Sequence, residues 1–300
     1  MPERMRFEGL DASAFQHPQD REATDALKQI VGFDRVVAKF LELGYERILY
    51  LTNIASAVKV GDTQYPRLHA MLKESCAILD VPVPEMYITQ TPFANALTFG
   101  HTMPYVMMFT GLIEILNDDE LFVIIAHELG HIKCGHVLYN MMASLIGLLI
   151  NTVSQFTFGI GGIVGQGIRV ALEEWRRRSE LSADRAALLA SQDPNLVITT
   201  LAKLAGGSQR MKGDFNVEAF KAQAKEYDER GFGDGLDDVY RLLAYLQQGS
   251  HPFIVERARA VDVWSQSEDY RAILAGDYAK RSPAPQPNST GRTKVKIRVG

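Results

Sequence analysis

Residues 117–136, NDDELFVIIAHELGHIKCGH, begin with a helix start signal and end in a concentration of metal-capable side chains. Asn117 followed three residues later by Glu120 reads as a capping box, in which each side chain satisfies a free backbone N–H of the first turn. The apolar run 121–126 then carries the helix into His127. Helical residues four apart share a face, so His127 and His131 point the same way and can converge on one ion. Glu128 stands about 100° round the helix, beside such an ion and not bound to it. Two imidazoles that hold zinc, with a carboxylate able to take a proton from an activated water and return it to a leaving amine, are the parts of a metallohydrolase. The spacing H-E-x-x-H is the sequence form of that arrangement.

A catalytic zinc takes three protein ligands and keeps one position open. His136 lies nine positions after His127, about 180° away on a continued helix. The metzincin pattern would turn the chain back with glycine and histidine seven and ten positions after the first histidine, but Cys134 and Val137 stand there. Cys134 shares the ligand face, yet it sits nearly a turn beyond His131 and a thiolate would close the site. Both Cys134 and His136 therefore read as bystanders. The stretch RRRSELSADRAALLA, residues 176–190, offers a carboxylate from a second helix. Glu180 and Asp184 share a face there, with Ala183 and Ala187 keeping it narrow enough for close approach. Glu180 would be the third ligand, and Asp184 would accept the second ring N–H of a ligand histidine. Glu173 lies two turns upstream on this face, where Arg177 gives it an ordinary ion-pair partner.

With 300 residues and 46% hydrophobic content the chain can bury a full core. Its net charge of -4, with no sustained basic stripe, gives no reason to expect a nucleic-acid partner. Two cysteines, Cys76 and Cys134, are too few for a disulfide framework and fit a reducing compartment. Charges at Glu3, Arg4, Arg6 and Glu8 interrupt any apolar leader, so no secretory signal is expected and the cytoplasm is the default location. Helical periodicity runs through about residues 18–31, 34–60 and 66–80. Prolines 82 and 84 then stop the pattern, and strands are expected near 86–89, 94–99 and 104–110. The fold class is α+β, mostly α, with a small sheet.

The combination NALTFG (95–100), GLIEILNDDELFVIIAHELGH (111–131), ELSAD (180–184) and HPFIVER (251–257) resembles the zinc metallopeptidase family of the CAAX prenyl protease and the HtpX-like proteases, in the gluzincin group. The resemblance covers about residues 64–260 in the right order. It implies a zincin-like domain with one Zn2+ per chain held by His127, His131 and Glu180, Glu128 as general base and Asp184 behind a ligand. It also places Asn95, Ala96 and Gly100 on an edge strand bordering the active site, where an extended polypeptide would add by main-chain hydrogen bonds. His251 and Arg257 map to a segment near the metal, and with Asn95, Ala96 and Gly100 they are implied to bind the substrate or the transition state. His251 then has open readings: it steadies the tetrahedral intermediate, it occupies the open zinc position, or its His-Pro pair only starts a helix. The implied activity is a metalloendopeptidase acting on extended or misfolded, membrane-associated polypeptides. The alternative is a protease-like chaperone or adaptor that binds clients at the strand edge around a structural or blocked zinc.

Residues 1–63 read as an N-terminal helical region packing on a catalytic domain at 64–275, and 276–300 as a Pro-rich linker with a basic tail. Between the two zinc helices, residues 137–170 are apolar but broken by Asn140, Ser144 and Asn151 and then rich in glycine. That pattern suits a hairpin that packs on the body or dips into a bilayer surface, giving peripheral membrane contact.

Overall fold

The computed structural model describes residues 4–42, 44–145, 160–207, 213–229 and 253–281. Helix α1 (Pro18–Lys28) starts with proline at its first position and His17 Nδ1 accepting from the Gln19 N–H. Helices α2 (Phe33–Glu42) and α3 (Tyr45–Ser56) lie where the periodicity predicts one helix to residue 60. The chain breaks at Gly44, whose φ of 66° lies in the left-handed region that other residues avoid. The end of that stretch, expected as helix, is strand β1 (Val58–Lys59). Helix α4 (Pro66–Leu79) buries Leu68, Met71, Leu72, Cys76 and Leu79 on the face that the spacing predicts.

Strands β2 (Glu85–Thr89), β3 (Ala96–Phe99) and β4 (Tyr105–Phe109) join β1 in a mixed sheet of order β1-β2-β4-β3. β2 runs parallel to β4 with Glu85 opposite Tyr105, whereas β3 pairs with β4 antiparallel, Thr98 opposite Val106. The period of two sends Met86, Ile88, Val106 and Met108 into the main core. Tyr87, Tyr105 and Met107 face the other way, against Tyr50 and Ile54 of α3. β3 is left as an outer strand, turned over from β4 at Gly100, where a Cβ would come within 2.2 Å of the Met103 carbonyl oxygen.

After the short helix α5 (Thr110–Ile115) the chain enters α6 (Asp118–Lys133), with the Asn117–Glu120 capping box formed as the sequence predicts. α6 is buried on every side from Glu120 to His131, as befits a helix in the middle of a core. Glu120 does a second job, pairing at 2.6 Å with buried Lys203 of α9 (Pro194–Gly206). Gly135, with φ at +73°, turns the chain out of α6, and α7 (Val137–Leu145) leaves at 94° to it. Helix α8 (Ile160–Ser191) returns along α6, so the glycine-rich second half of the expected hairpin is the first part of a long helix. Among the described residues no single helix is long and apolar enough to cross a membrane. α6 and α7 together have the length and composition, but α6 is buried in the protein core. Helices α10 (Val217–Glu229), α11 (Ile254–Ser265) and α12 (Glu268–Leu274) close the body. Of the linker and tail expected at 276–300, residues 276–281 lie beside the N-terminal segment, with Lys280 bridged to Leu10, and the rest falls outside the described residues.

The contact between α6 and α8 has no room to spare. A Cβ on Gly130 would stand 2.7 Å from the Ala186 Cβ and 2.9 Å from the Ala183 Cα. Ala183 narrows the face as expected, but its companion here is Ala186, one position before Ala187. Gly130→Val is expected to cost about 1–3 kcal/mol despite valine being the better helix former, because the added atoms must drive two packed backbones apart. Urea unfolding of the variant checks it, and an unchanged midpoint would mean that the two helices part freely.

Candidate metal centre

α6 presents His127 and His131, and α8 presents Glu180 across the narrow contact. The candidate ligand atoms of these three buried residues lie within 4.8 Å of one another. His127 Nε2 is 3.4 Å from Glu180 Oε2, and His131 Nε2 is 3.5 Å from Glu180 Oε1. Both rings thus turn Nε2 inward and Nδ1 outward. His127 Nδ1 meets Asp184 Oδ1 at 3.0 Å, one turn after Glu180 on the same face of α8. Cys134 is the C-cap of α6 and takes no part in the cluster.

Arg257 of α11 ties the acidic side together. Its Nε donates to Asp184 Oδ2 at 2.8 Å, its Nη2 to Asp184 Oδ1 at 2.6 Å, and its Nη1 lies 3.0 Å from Glu180 Oε2. Sequence reading assigns Arg257 to substrate or the transition state. It borders the cleft, and its donors go to the two carboxylates. Glu173, expected to pair with Arg177, is replaced in that role by Glu174, which Arg177 and Arg178 both reach.

The electrostatics favour a cation between the ligands. Burial alone would lower the His127 pKa, but its bonds to Asp184 and Glu180 outweigh this and raise it to about 9. Burial wins at His131, whose pKa is lowered with help from the neighbouring imidazoles, so that ring stays neutral. Burial would raise the Asp184 pKa, yet Arg257 beside it keeps the carboxyl below its ordinary range. Two inward Nε2 atoms and a carboxylate, with both Nδ1 atoms already engaged on their outer side, form a donor set that suits a tetrahedral divalent ion with one open position.

This cluster floors a cavity of about 280 Å³ whose lining includes β3, Glu128, Leu112, Ile124, Leu204 and Ile254. Glu128 accepts a short hydrogen bond from the Thr98 hydroxyl on β3, which fixes the carboxylate between strand and helix. Thr98 sits inside the NALTFG motif, but the sequence carries no signal of this contact, because a threonine in a strand has an ordinary structural explanation. Asn95 and Ala96 do line the cavity, Asn95 closing a local bond to the Ala96 N–H at 2.9 Å. Gly100 does not: it lies at the β3–β4 turn, beside a separate cleft against α2 and α3, and is glycine for the sake of its φ of 85°. His251 lies outside the described residues.

His136 stays outside the group of candidate ligands, as the sequence predicts, but it is tied to one of them. The helix does not continue to it: the Gly135 turn swings the ring back so that its Nδ1 lies 3.0 Å from His131 Nδ1. Its Nε2 lies 3.0 Å from Asp20 Oδ2, an acidic residue of α1 with no exposed surface. A glycine directly before the third histidine was the one signal of this turn in the sequence.

A buried His-His-Glu cluster with a glutamate beside it, on two helices flanked by an edge strand, defines a metallopeptidase of the H-E-x-x-H type. The model of peptidase family M48 matches residues 62–265, and the chain belongs to that family. It is 38% identical over 270 residues to the plastoglobule-localized metallopeptidase 48 of Arabidopsis thaliana, covering 89% of this chain and 77% of that protein. It is also 29% identical over 177 residues to protease HtpX homolog 2 of Methanosarcina mazei, covering 52% of this chain and 60% of that one. With protease HtpX homolog of Moorella thermoacetica the identity is 28%, over 55% of this chain and 64% of the relative. The chain thus spans less than two thirds of these HtpX homologues.

Replacing Arg257 with methionine removes the guanidinium that binds Asp184 and Glu180 in the protein interior. The metal-free protein is expected to lose about 3–5 kcal/mol of unfolding free energy in urea. A loss below about 1 kcal/mol would mean that the carboxylates find another partner.

Proposed function

We propose that this metallopeptidase is a zinc-dependent endopeptidase of extended or misfolded polypeptides, with Glu128 as its general base. The observation that carries the reading is the convergence of His127, His131 and Glu180 at the floor of a cleft that Glu128 and the outer strand β3 share. His127, His131 and Glu180 would hold the ion, and Asp184 would fix the His127 ring through Nδ1. A zinc ion held there supplies Lewis-acid polarisation of the attacking water and of the scissile carbonyl. Glu128 takes the water proton onto its carboxylate as oxygen bonds to the carbonyl carbon, then delivers it to the amide nitrogen as the C–N bond breaks. Thr98 holds that carboxylate by donating to Oε2, leaving Oε1 for the proton.

β3 favours unfolded segments as substrates. An outer strand offers one row of main-chain donors and acceptors, which an extended peptide can pair with and a folded helix cannot. The apolar side of the cleft, with Leu112, Ile124, Leu204 and Ile254, suits the side chains that misfolded proteins expose. Contact with a lipid surface through 137–170 belongs to the same reading. The Arabidopsis relative is named for plastoglobules, and α7 begins the apolar stretch. Separating cells into soluble, salt-released and detergent-released pools tests the contact: recovery wholly in the soluble pool would remove it.

Zinc content and casein cleavage, measured on the parent and two variants, test the chemistry. Glu128→Gln is expected to keep its zinc and lose cleavage by about 10²–10⁴-fold, since it removes only the proton carrier. Glu180→Ala is expected to lose zinc as well. Equal cleavage by parent and Glu128→Gln would sink the proposed mechanism, and full zinc in Glu180→Ala would move the third ligand elsewhere.

A further inference from the structure

We propose that His136 and Asp20 form a relay that fixes the tautomer and ring orientation of His131, which makes α1, lying before the segment matched by the family, a working part of the metal site. The inference rests on the reading of His131 as a ligand. Its logic is a chain of proton positions that runs inward from Asp20. Asp20 Oδ2 is a carboxylate oxygen and accepts, so the hydrogen on His136 sits on Nε2, 3.0 Å away. With that hydrogen on Nε2, His136 presents Nδ1 to His131 Nδ1 at 3.0 Å, and in the relay it accepts the His131 Nδ1–H. His131 Nε2 is therefore left with its lone pair facing Glu180, ready for an ion. The reverse order, with a hydrogen on His136 Nδ1, would put the His131 hydrogen on Nε2 and block ligation.

The surroundings hold the relay in one geometry. Asp20 also accepts from Ser182 at 2.6 Å and from Gln16 at 3.0 Å, with Thr24 at 3.4 Å on its other oxygen. Ser182 lies on α8 between Glu180 and Asp184, and its oxygen accepts the His17 N–H at 2.9 Å, at the start of α1. Trp175 stacks edge-on against the His136 ring, centroids 5.5 Å apart, and its Nε1–H donates to Thr24 at 2.8 Å. α1 is thereby pinned to the same helix that carries Glu180. The two ligand histidines are served alike, His127 by a carboxylate directly and His131 by one acting through a second imidazole.

The test uses the full chain and reads zinc affinity by chelator competition, together with ¹⁵N NMR of the histidine rings in the metal-free protein. The parent is expected to carry hydrogen on His131 Nδ1 and on His136 Nε2. His136→Leu is expected to weaken zinc binding about 10–100-fold while keeping the parent's helical circular dichroism. His136→Asn, whose amide oxygen can accept from His131, should recover most of that loss. Parent-like zinc affinity in a folded His136→Leu, or hydrogen on His131 Nε2 in the parent, would overturn the relay. Should His136→Leu not fold, the parent's ring protons decide alone: hydrogen on His131 Nδ1 and His136 Nε2 supports the relay, and hydrogen on His131 Nε2 overturns it. A parent that binds no zinc would overturn the metal reading itself, a result distinct from a parent that binds and a variant that binds equally.

Discussion

Charge of both signs, buried where α6 meets α8, is the constraint on which the rest of the structure turns. His127, Glu180, Asp184 and Arg257 are each almost wholly removed from solvent, and an ion left unpartnered there would cost several kcal/mol. Each one therefore has to be met by a group of opposite sign at hydrogen-bond distance. The helices can supply that only by approaching until Gly130 lies against Ala183 and Ala186. Small residues and charged residues are thus two sides of one requirement. A bulkier contact would lift Glu180 away from both imidazoles and leave the charges without their partners.

Several distant elements follow from this requirement. α11 has to reach the acidic side to deliver Arg257, and it does so by burying Ala258, Val261 and Trp264 in the main core. α6 must not slide along α8, and the Lys203–Glu120 pair anchors its first turn to α9. The sheet is fixed to the site by Thr98, whose hydroxyl meets Glu128 while Val106 opposite it enters the core. The distance from strand to Glu128 is therefore set by the same packing that stabilises the domain.

What was legible in the sequence is what local geometry determines. The capping box, the shared face of His127 and His131 and the four-residue step from Glu180 to Asp184 depend only on helical rotation, and all are present. What stayed hidden depends on where a helix stops or on contacts distant in the chain. The break at Gly44 and the turn at Gly135 each rest on one glycine, a residue that helices also tolerate at a modest cost, so neither could be separated from continued helix by periodicity. The roles of Arg257 and Asp20 come from contacts spanning 73 and 116 residues, for which spacing carries no signal. Thr98 is hidden in a different way, since a threonine in a strand is ordinary by propensity and its bond to Glu128 spans 30 residues.

The unequal support of the two histidines follows from the direction of the helices. His127 meets Asp184 and His131 lies against Glu180, so moving forward along α6 means moving backward along α8. The position on α8 that would mirror Asp184 for His131 is one turn before Glu180, and it holds Arg176. A guanidinium has no lone pair to offer and cannot accept an imidazole N–H. An acceptor for His131 therefore has to come from outside α8, and the chain supplies it by ending α6 at Gly135 and returning His136. His136 in turn needs an acceptor for its own remaining N–H, which is the reason a carboxylate from α1 is buried with no exposed surface beside α8. One arginine on the wrong side of Glu180 thus accounts for a glycine, a histidine and an aspartate in three other places.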